Sequence, residues 1–193
     1  MPGLTWDAVG QHKFETGVDH GVLFVYSNGT PGTGVAWNGL TAVNESPSGA
    51  EPTTLWADNI KYVTLMSAEE YGFTIEAYDA PDAFAACDGR VTYAGGEIGQ
   101  QPRTMFAFSW RVKVGDDTHG TSGNHYKIHY AFGCLASPSE KNHQTINDSP
   151  EASTMSWTVN CTPITSGGKT FSSLVIDDPD GTYDNSEIPS GIF

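Results

Sequence analysis

At 193 residues the chain can bury about two-thirds of its extended surface in one core. Its formal charge of −14, from 9 basic and 23 acidic side chains, sets the surface against phosphate and so against tight nucleic-acid binding. Between Phe14 and Gly89, Lys61 stands alone against eleven acidic residues, and Asp177, Asp178, Asp180, Asp184 and Glu187 form a second acidic run. The longest apolar run, Val22 to Tyr26, is too short for a membrane span or a signal core. Cys87, Cys134 and Cys161 form no CxxC and cannot all pair within one chain, which points to folding in a reducing compartment without a disulfide framework.

After a loose opening, the first strand is expected at Val22–Tyr26, followed by a turn over Asn28–Gly34 and a second strand from Val35 to Val43. The segment 44–56, with Pro47, Gly49 and Pro52, reads as an extended loop. Strand pattern returns from Leu55 to Met66 and again through Phe73, Ile75 and Ala77. Pro81 to Cys87 reads as one short α-helix, with Pro in the first turn and acids at its start. The strongest strand is Thr104 to Val114, where Phe106, Phe108, Trp110, Val112 and Val114 share a face against Ala107, Ser109, Arg111 and Lys113. The loop Gly115–Asn124 turns this strand into a partner that places Tyr126, Ile128, Tyr130, Phe132 and Cys134 on one face. A polar connection then leads to Met155, Trp157, Val159 and Cys161, again on one face. Strands every ten to twenty residues around one short helix predict a mainly β fold, a β-sandwich or bent barrel, with 1–193 as a single domain. Phe106, Trp110, Tyr130, Phe132 and Trp157 are its expected core.

Motifs for chemistry are weak. ITSGGKT (Ile164–Thr170) lacks the first glycine of a phosphate loop, because Pro163 stands there. Asp177–Asn185 lacks the third spaced ligand and distal Glu of a calcium loop. His125 and His129 fall on one strand face but roughly 13 Å apart at strand rise, too far to share one zinc. No nucleophile elbow occurs, and Glu69 and Glu70 point to opposite faces of a strand. The chain therefore reads as no enzyme, with no catalytic residue, metal ligand or cofactor site assigned. Trp110 and Trp157 sit on core faces by alternation, which leaves Trp6, Trp37 and Trp56 as candidates for a carbohydrate platform. Burial or subunit contact is the stronger reading of each, and a ligand- or carbohydrate-binding β-sandwich module is kept as the alternative.

The strings VAWNGLTAVNESPSGAEPTTLWADNIKYVTLMSAEEYGFTIEAYDAPDAFAACDG (Val35–Gly89), GQQPRTMFAFSWR (Gly99–Arg111) and HYKIHYAFGCLASPSEKNHQTINDSPEASTMSWTVNCTPI (His125–Ile164), with the opening WDAVGQHKFETGVDHGVL (Trp6–Leu23), cover most of the chain. In this order they resemble the major tail protein, or tail tube protein, of long-tailed non-contractile phages of Gram-positive bacteria. The likeness weakens after Ile176. The resemblance implies a structural virion protein, made in the host cytoplasm and residing in the tail. Hexameric rings of it would stack into a tube around a tape-measure protein, meeting tail terminator and distal tail proteins at the ends. DNA would pass through without specific binding, and no membrane is involved. Within that frame, residues 1–12 form an N-terminal arm, 44–56 the extended loop and 177–193 an acidic C-terminal tail. Subunit contacts are expected at Glu51, Trp56, Asp58, Tyr62 and Leu65, and at Ser137, Ser139, Thr145 and Asp148. Asp116, Asp117 and Glu151 are the expected lumen or loop acids.

Overall fold

The computed structural model describes residues 3–141, 143, 145, 148 and 152–193. Glu151 and most of the TINDSPEA string lie outside the described residues. Three strands open the chain, β1 (Phe14–Ser27), β2 (Thr30–Pro31) and β3 (Val35–Trp37). Next, β4 (Leu40–Glu45), β5 (Ser48–Gly49) and β6 (Pro52–Ala57) run out along one side of a ribbon. They are answered by β7 (Ile60–Met66), β8 (Glu69–Glu70) and β9 (Gly72–Ala77). A 3-10 helix over Asp82–Ala86 and a small hairpin of β10 (Val91–Tyr93) and β11 (Gly96–Ile98) follow. The long strands are β12 (Phe106–Gly115) and β13 (Tyr126–Ala136). β14 (Met155–Cys161), β15 (Ile164–Ser166), β16 (Lys169–Phe171) and β17 (Ser173–Asp178) complete the set.

The main sheet runs β2-β1-β12-β13-β14-β9-β4, with β3 also on β1 and β17 also on β13. Every pairing in it is antiparallel. The protein is thus a mainly β sandwich made by one sheet bending over itself. Its only helical segment among the described residues is 3-10, not the α-helix expected at Pro81–Cys87. Five residues are too few to establish an α-helix on their own. The turn is held instead by Phe84, fully buried 4.6 Å from the Trp37 ring and 5.3 Å from that of Trp157.

One step in β13 creates the bend. Residues Tyr126–Ala131 pair with β17, whereas Cys134–Ala136 pair with β14. Opposite this change, Phe106 and Phe108 of β12 face Cys134 and Ala131, so β13 carries one extra residue as a bulge. Gly133 takes φ of +63° there, and a Cβ on it would lie 2.1 Å from the Thr162 carbonyl oxygen. Its N–H donates to the Tyr26 hydroxyl. Because side chains alternate along a strand, one extra residue exchanges the faces beyond it. Cys134, expected beside Tyr130 and Phe132, therefore turns into the other apolar cluster.

That inner cluster lies between the two layers and holds Leu23, Trp37, Phe73, Ile75, Phe84, Phe106, Phe108, Trp110, Cys134, Trp157 and Val159. The second gathers Val22, Phe24, Ala107, Ile128, Tyr130 and Phe132 on the opposite face of β1, β12 and β13. All five expected core residues are buried. Ala107 and Ser109, expected on a polar face, are fully buried as well. The chain end explains this, since Tyr183, Ile188 and Ile192 pack over that face and Phe193 meets Phe132 and Tyr26 edge-on. Polar bonds fix the covering. Asn185 donates to the His20 carbonyl at 2.7 Å and to Ser109 Oγ at 3.1 Å, and Tyr130 donates to the Glu187 carbonyl. Residues 177–193 are thus a packed strap, whose Asp178 carboxylate accepts from the Thr182 and Tyr183 amides.

Gly133→Ala should destabilise the fold by about 2–4 kcal/mol, because the added methyl meets backbone in a left-handed conformation. Urea unfolding checks this, and a midpoint equal to that of the unsubstituted protein would show that the bulge tolerates a side chain.

Candidate assembly surface

The ribbon that begins in the sheet at β4 and β9 continues beyond it. Glu45 faces Phe73 as the last paired position of the sheet, Ser46 N–H donates to the Gly72 carbonyl, and β5–β8 extends the ladder. Gly49, at φ +78°, passes so close to the Ala68 carbonyl that a Cβ would lie 2.5 Å from its oxygen. The outermost part is β6–β7, which among the described residues pairs only with itself. Thr53, Leu55, Trp56, Ile60, Tyr62, Val63 and Leu65 give it strand propensity. At its tip Asp58 and Asn59 both have positive φ, 51° and 62°, the two-residue turn whose twist matches a hairpin. The continuous strand expected from Leu55 to Met66 is broken there. The expected loop 44–56 is, from Ser48 on, largely the outgoing side of this arm, because its residues find partners across the ribbon.

Every residue of β7 is exposed, and so is most of β6. Trp56 is 70% exposed, Tyr62 69% and Met66 69%. Strand alternation and the register put Leu55, Val63 and Leu65 on one face of the ribbon, and Thr54, Trp56, Thr64 and Met66 on the other. Both faces are therefore apolar and uncovered. A free two-stranded ribbon is marginal in water, so its order depends on how its root is held. At the root His129 Nδ1 lies 3.0 Å from Glu45 Oε1, and the His129 ring stacks on Trp110 at 5.1 Å. The hydrogen bond from His129 holds the Glu45 carboxyl below its ordinary pKa, against the effect of burial. Glu51, Glu69 and Glu70 give the root an acidic, exposed skirt.

Of the expected contact residues, Glu51, Trp56, Asp58, Tyr62 and Leu65 are all exposed on this arm or its root. Leu55, Ile60, Val63 and Met66 are exposed on the same hairpin and were not among the expected residues; the Asp-Asn pair is the signal that would have divided the strand into a hairpin. The other group sits elsewhere. Ser137, whose N–H donates to the Thr158 carbonyl, and Ser139 are half-buried, while Thr145 and Asp148 are exposed. Their connection joins β14 at Met155, opposite Ala77, whereas the arm leaves β9 at Gly72, opposite Asn160. The connection and the arm therefore leave from opposite ends of β14 and β9, five positions or roughly 17 Å apart at strand rise.

Asp116 and Asp117 do local work. Asp116 accepts from the His119 amide at 2.6 Å, faces His119 Nδ1 at 3.1 Å and accepts from the Thr118 amide at 2.7 Å, which lowers its pKa to about 2. Asp117 accepts from the Gly10 amide at 2.9 Å and faces His12 Nδ1 at 3.1 Å, tethering the N-terminal segment, where Leu4, Trp6 and Val9 are exposed. Trp37 is buried, its indole N–H donating to the Asp79 carbonyl, and so offers no exposed ring face as a platform. The cations are largely spent internally. Arg111 grips Asp19 through two bonds of 2.8 and 3.0 Å, and Arg90, Arg103, Lys127 and Lys141 each face a carboxylate. Among the described residues no group of three or more His, Cys, Asp or Glu could hold a metal ion, and no helix is long and apolar enough to cross a membrane.

No family model matches the chain, and no curated protein does. Among solved structures it is similar to Hcp1 from Flavobacterium johnsoniae, over 79% of this chain and 98% of that one, at 14% identity and a TM-score of 0.38. At that level the likeness bears on neither assembly nor function.

A carboxyl held below its ordinary pKa in the folded protein stabilises it at neutral pH. That contribution fades as pH falls from above the unfolded value, about 4.3, through the folded one. Thermal melting between pH 7 and pH 3 should therefore show a falling midpoint, and Glu45→Gln should lower the midpoint at pH 7 and flatten the fall. Parallel curves for the two proteins would mean that the Glu45–His129 contact contributes nothing.

Proposed function

We propose that the chain is a structural virion protein, the major tail subunit of a long-tailed phage, which closes into hexameric rings that stack into the tube delivering DNA. The observation that carries this reading is the β6–β7 arm, which exposes large apolar side chains on both faces and has no partner strand among the described residues. Each large apolar side chain covered on assembly contributes on the order of 2 kcal/mol. A second copy is the occupant that suits the arm. A patch at one end of a sheet that meets a different patch at the other end gives head-to-tail contact, which generates rings and open stacks. Support also comes from the ordered resemblance of Val35–Gly89 and His125–Ile164 to tail tube proteins. The acidic balance suits a passage for DNA, since cations already facing carboxylates offer phosphate little. Tape-measure, terminator and distal tail proteins are its expected partners, and the virion tail its place.

Negative-stain microscopy and sedimentation velocity of the concentrated protein test the reading. Rings or tubes are expected from the unsubstituted chain. Trp56→Asp combined with Tyr62→Asp should leave circular dichroism and melting unchanged while holding the protein as monomers. Monomers of the unsubstituted chain at every salt and concentration tried, or tubes from the substituted one, would overturn it.

A further inference from the structure

Cys134 and Cys161 are direct cross-strand partners in the β13–β14 ladder. Two pairs of the same register flank them through hydrogen bonds, Thr162 N–H to the Gly133 carbonyl at 2.9 Å and Ser137 N–H to the Thr158 carbonyl at 2.7 Å. Hydrogen-bonded and non-hydrogen-bonded pairs alternate along an antiparallel ladder, so 133/162 and 137/158 fix 134/161 as a non-hydrogen-bonded pair. At such a site the Cα atoms approach to about 4.5 Å and the side chains are closest, within the span a disulfide bridges without backbone movement. The two Sγ atoms lie 3.2 Å apart as free thiols. Cys87 is paired with neither and follows the 3-10 helix; burial pushes its thiol up to about 12.

We propose that Cys134 and Cys161 close into a disulfide when the protein leaves a reducing compartment for oxidising surroundings, clamping β13 to β14 beside the bulge. The assignment is independent of any assembly. Cys161, which is half-buried, is the entry point, whereas Cys134 is buried. Its thiolate attacks one sulfur of a small disulfide such as oxidised glutathione, and that S–S bond breaks to release one thiol. Cys134 then attacks Cys161 Sγ, its proton passing to the departing thiolate, which leaves as the second thiol. Two protein thiols and one small disulfide thus become one protein disulfide and two small thiols. The closed loop spans 27 positions and includes the polar connection, so the bridge restrains the unfolded chain.

The test incubates the native protein with oxidised glutathione, and in parallel refolds it from urea in the same buffer so that access to the pair is not limiting. Alkylation in denaturant followed by mass spectrometry counts the thiols and maps the bridge. Free thiols should fall from three to one, with Cys134 and Cys161 in one linked peptide. The melting midpoint should rise on the order of 5–10 °C, reversibly with dithiothreitol. Cys161→Ser should show neither the link nor the rise. Three free thiols after oxidative refolding, or a bridge that includes Cys87, would overturn the proposal.

Discussion

The fold depends on the bulge at Phe132–Gly133. Up to Ala131, β13 lends its edge to β17; from Cys134 it lends the same edge to β14. A strand that serves two layers needs a point where its hydrogen-bonding direction changes, and an inserted residue supplies it. Only glycine fits, since the Thr162 carbonyl occupies the space a side chain would need. The same insertion sends Phe132 to one core and Cys134 to the other. It also brings Cys134 opposite Cys161, so the thiol pair and the layered architecture share one cause.

Burial on both faces of β1 and β12 follows. Leu23 and Phe108 point into the space between layers, while Val22, Phe24 and Ala107 point outward and would be left in water without the chain end. The strap from Tyr183 to Phe193 resolves this with few apolar residues, using backbone-directed polar bonds from Asn185 and Tyr130. Two of the acids in 177–193 serve turns, Asp178 for the Thr182 and Tyr183 amides and Asp184 for that of Ser186. An acidic composition here is compatible with packing because these carboxylates act as hydrogen-bond acceptors.

Alternation was legible wherever one local rule governed. Phe106, Phe108 and Trp110 on one face, and Trp157 with Val159 on another, follow from period two alone. It failed at Cys134, where a single glycine reverses the phase, and nothing in the pattern distinguishes that glycine from Gly21 or Gly72. It failed at Ala107 and Ser109 because their cover comes from residues such as Asn185, 76 positions from Ser109. Trp37, for which burial or subunit contact is the stronger sequence reading, is indeed drawn inward, by Phe84, Phe108 and Trp157. The arm was half legible. Trp56, Tyr62 and Leu65 stood out, but the turn at Asp58–Asn59 was read through and with it Leu55, Ile60, Val63 and Met66 were passed over, and Glu45–His129 at its root joins strands too distant in sequence to be paired by pattern.

That root shapes what the arm can do. From β4 and β9 outward the ribbon is one antiparallel ladder, interrupted at Pro47 and at Gly49–Ala50 but registered again in each section. Its inner end is fixed twice, by Phe73 in the core and by Glu45 on the His129 ring stacked against Trp110. A ribbon so anchored carries its exposed apolar faces in a set direction, so docking it loses less conformational entropy than docking a free loop of the same length. If the arm docks as proposed, covering one face alone would leave either Trp56 and Met66 or Leu55 and Leu65 in water, so the proposed assembly calls for a surface that encloses both faces, as a slot between two copies would.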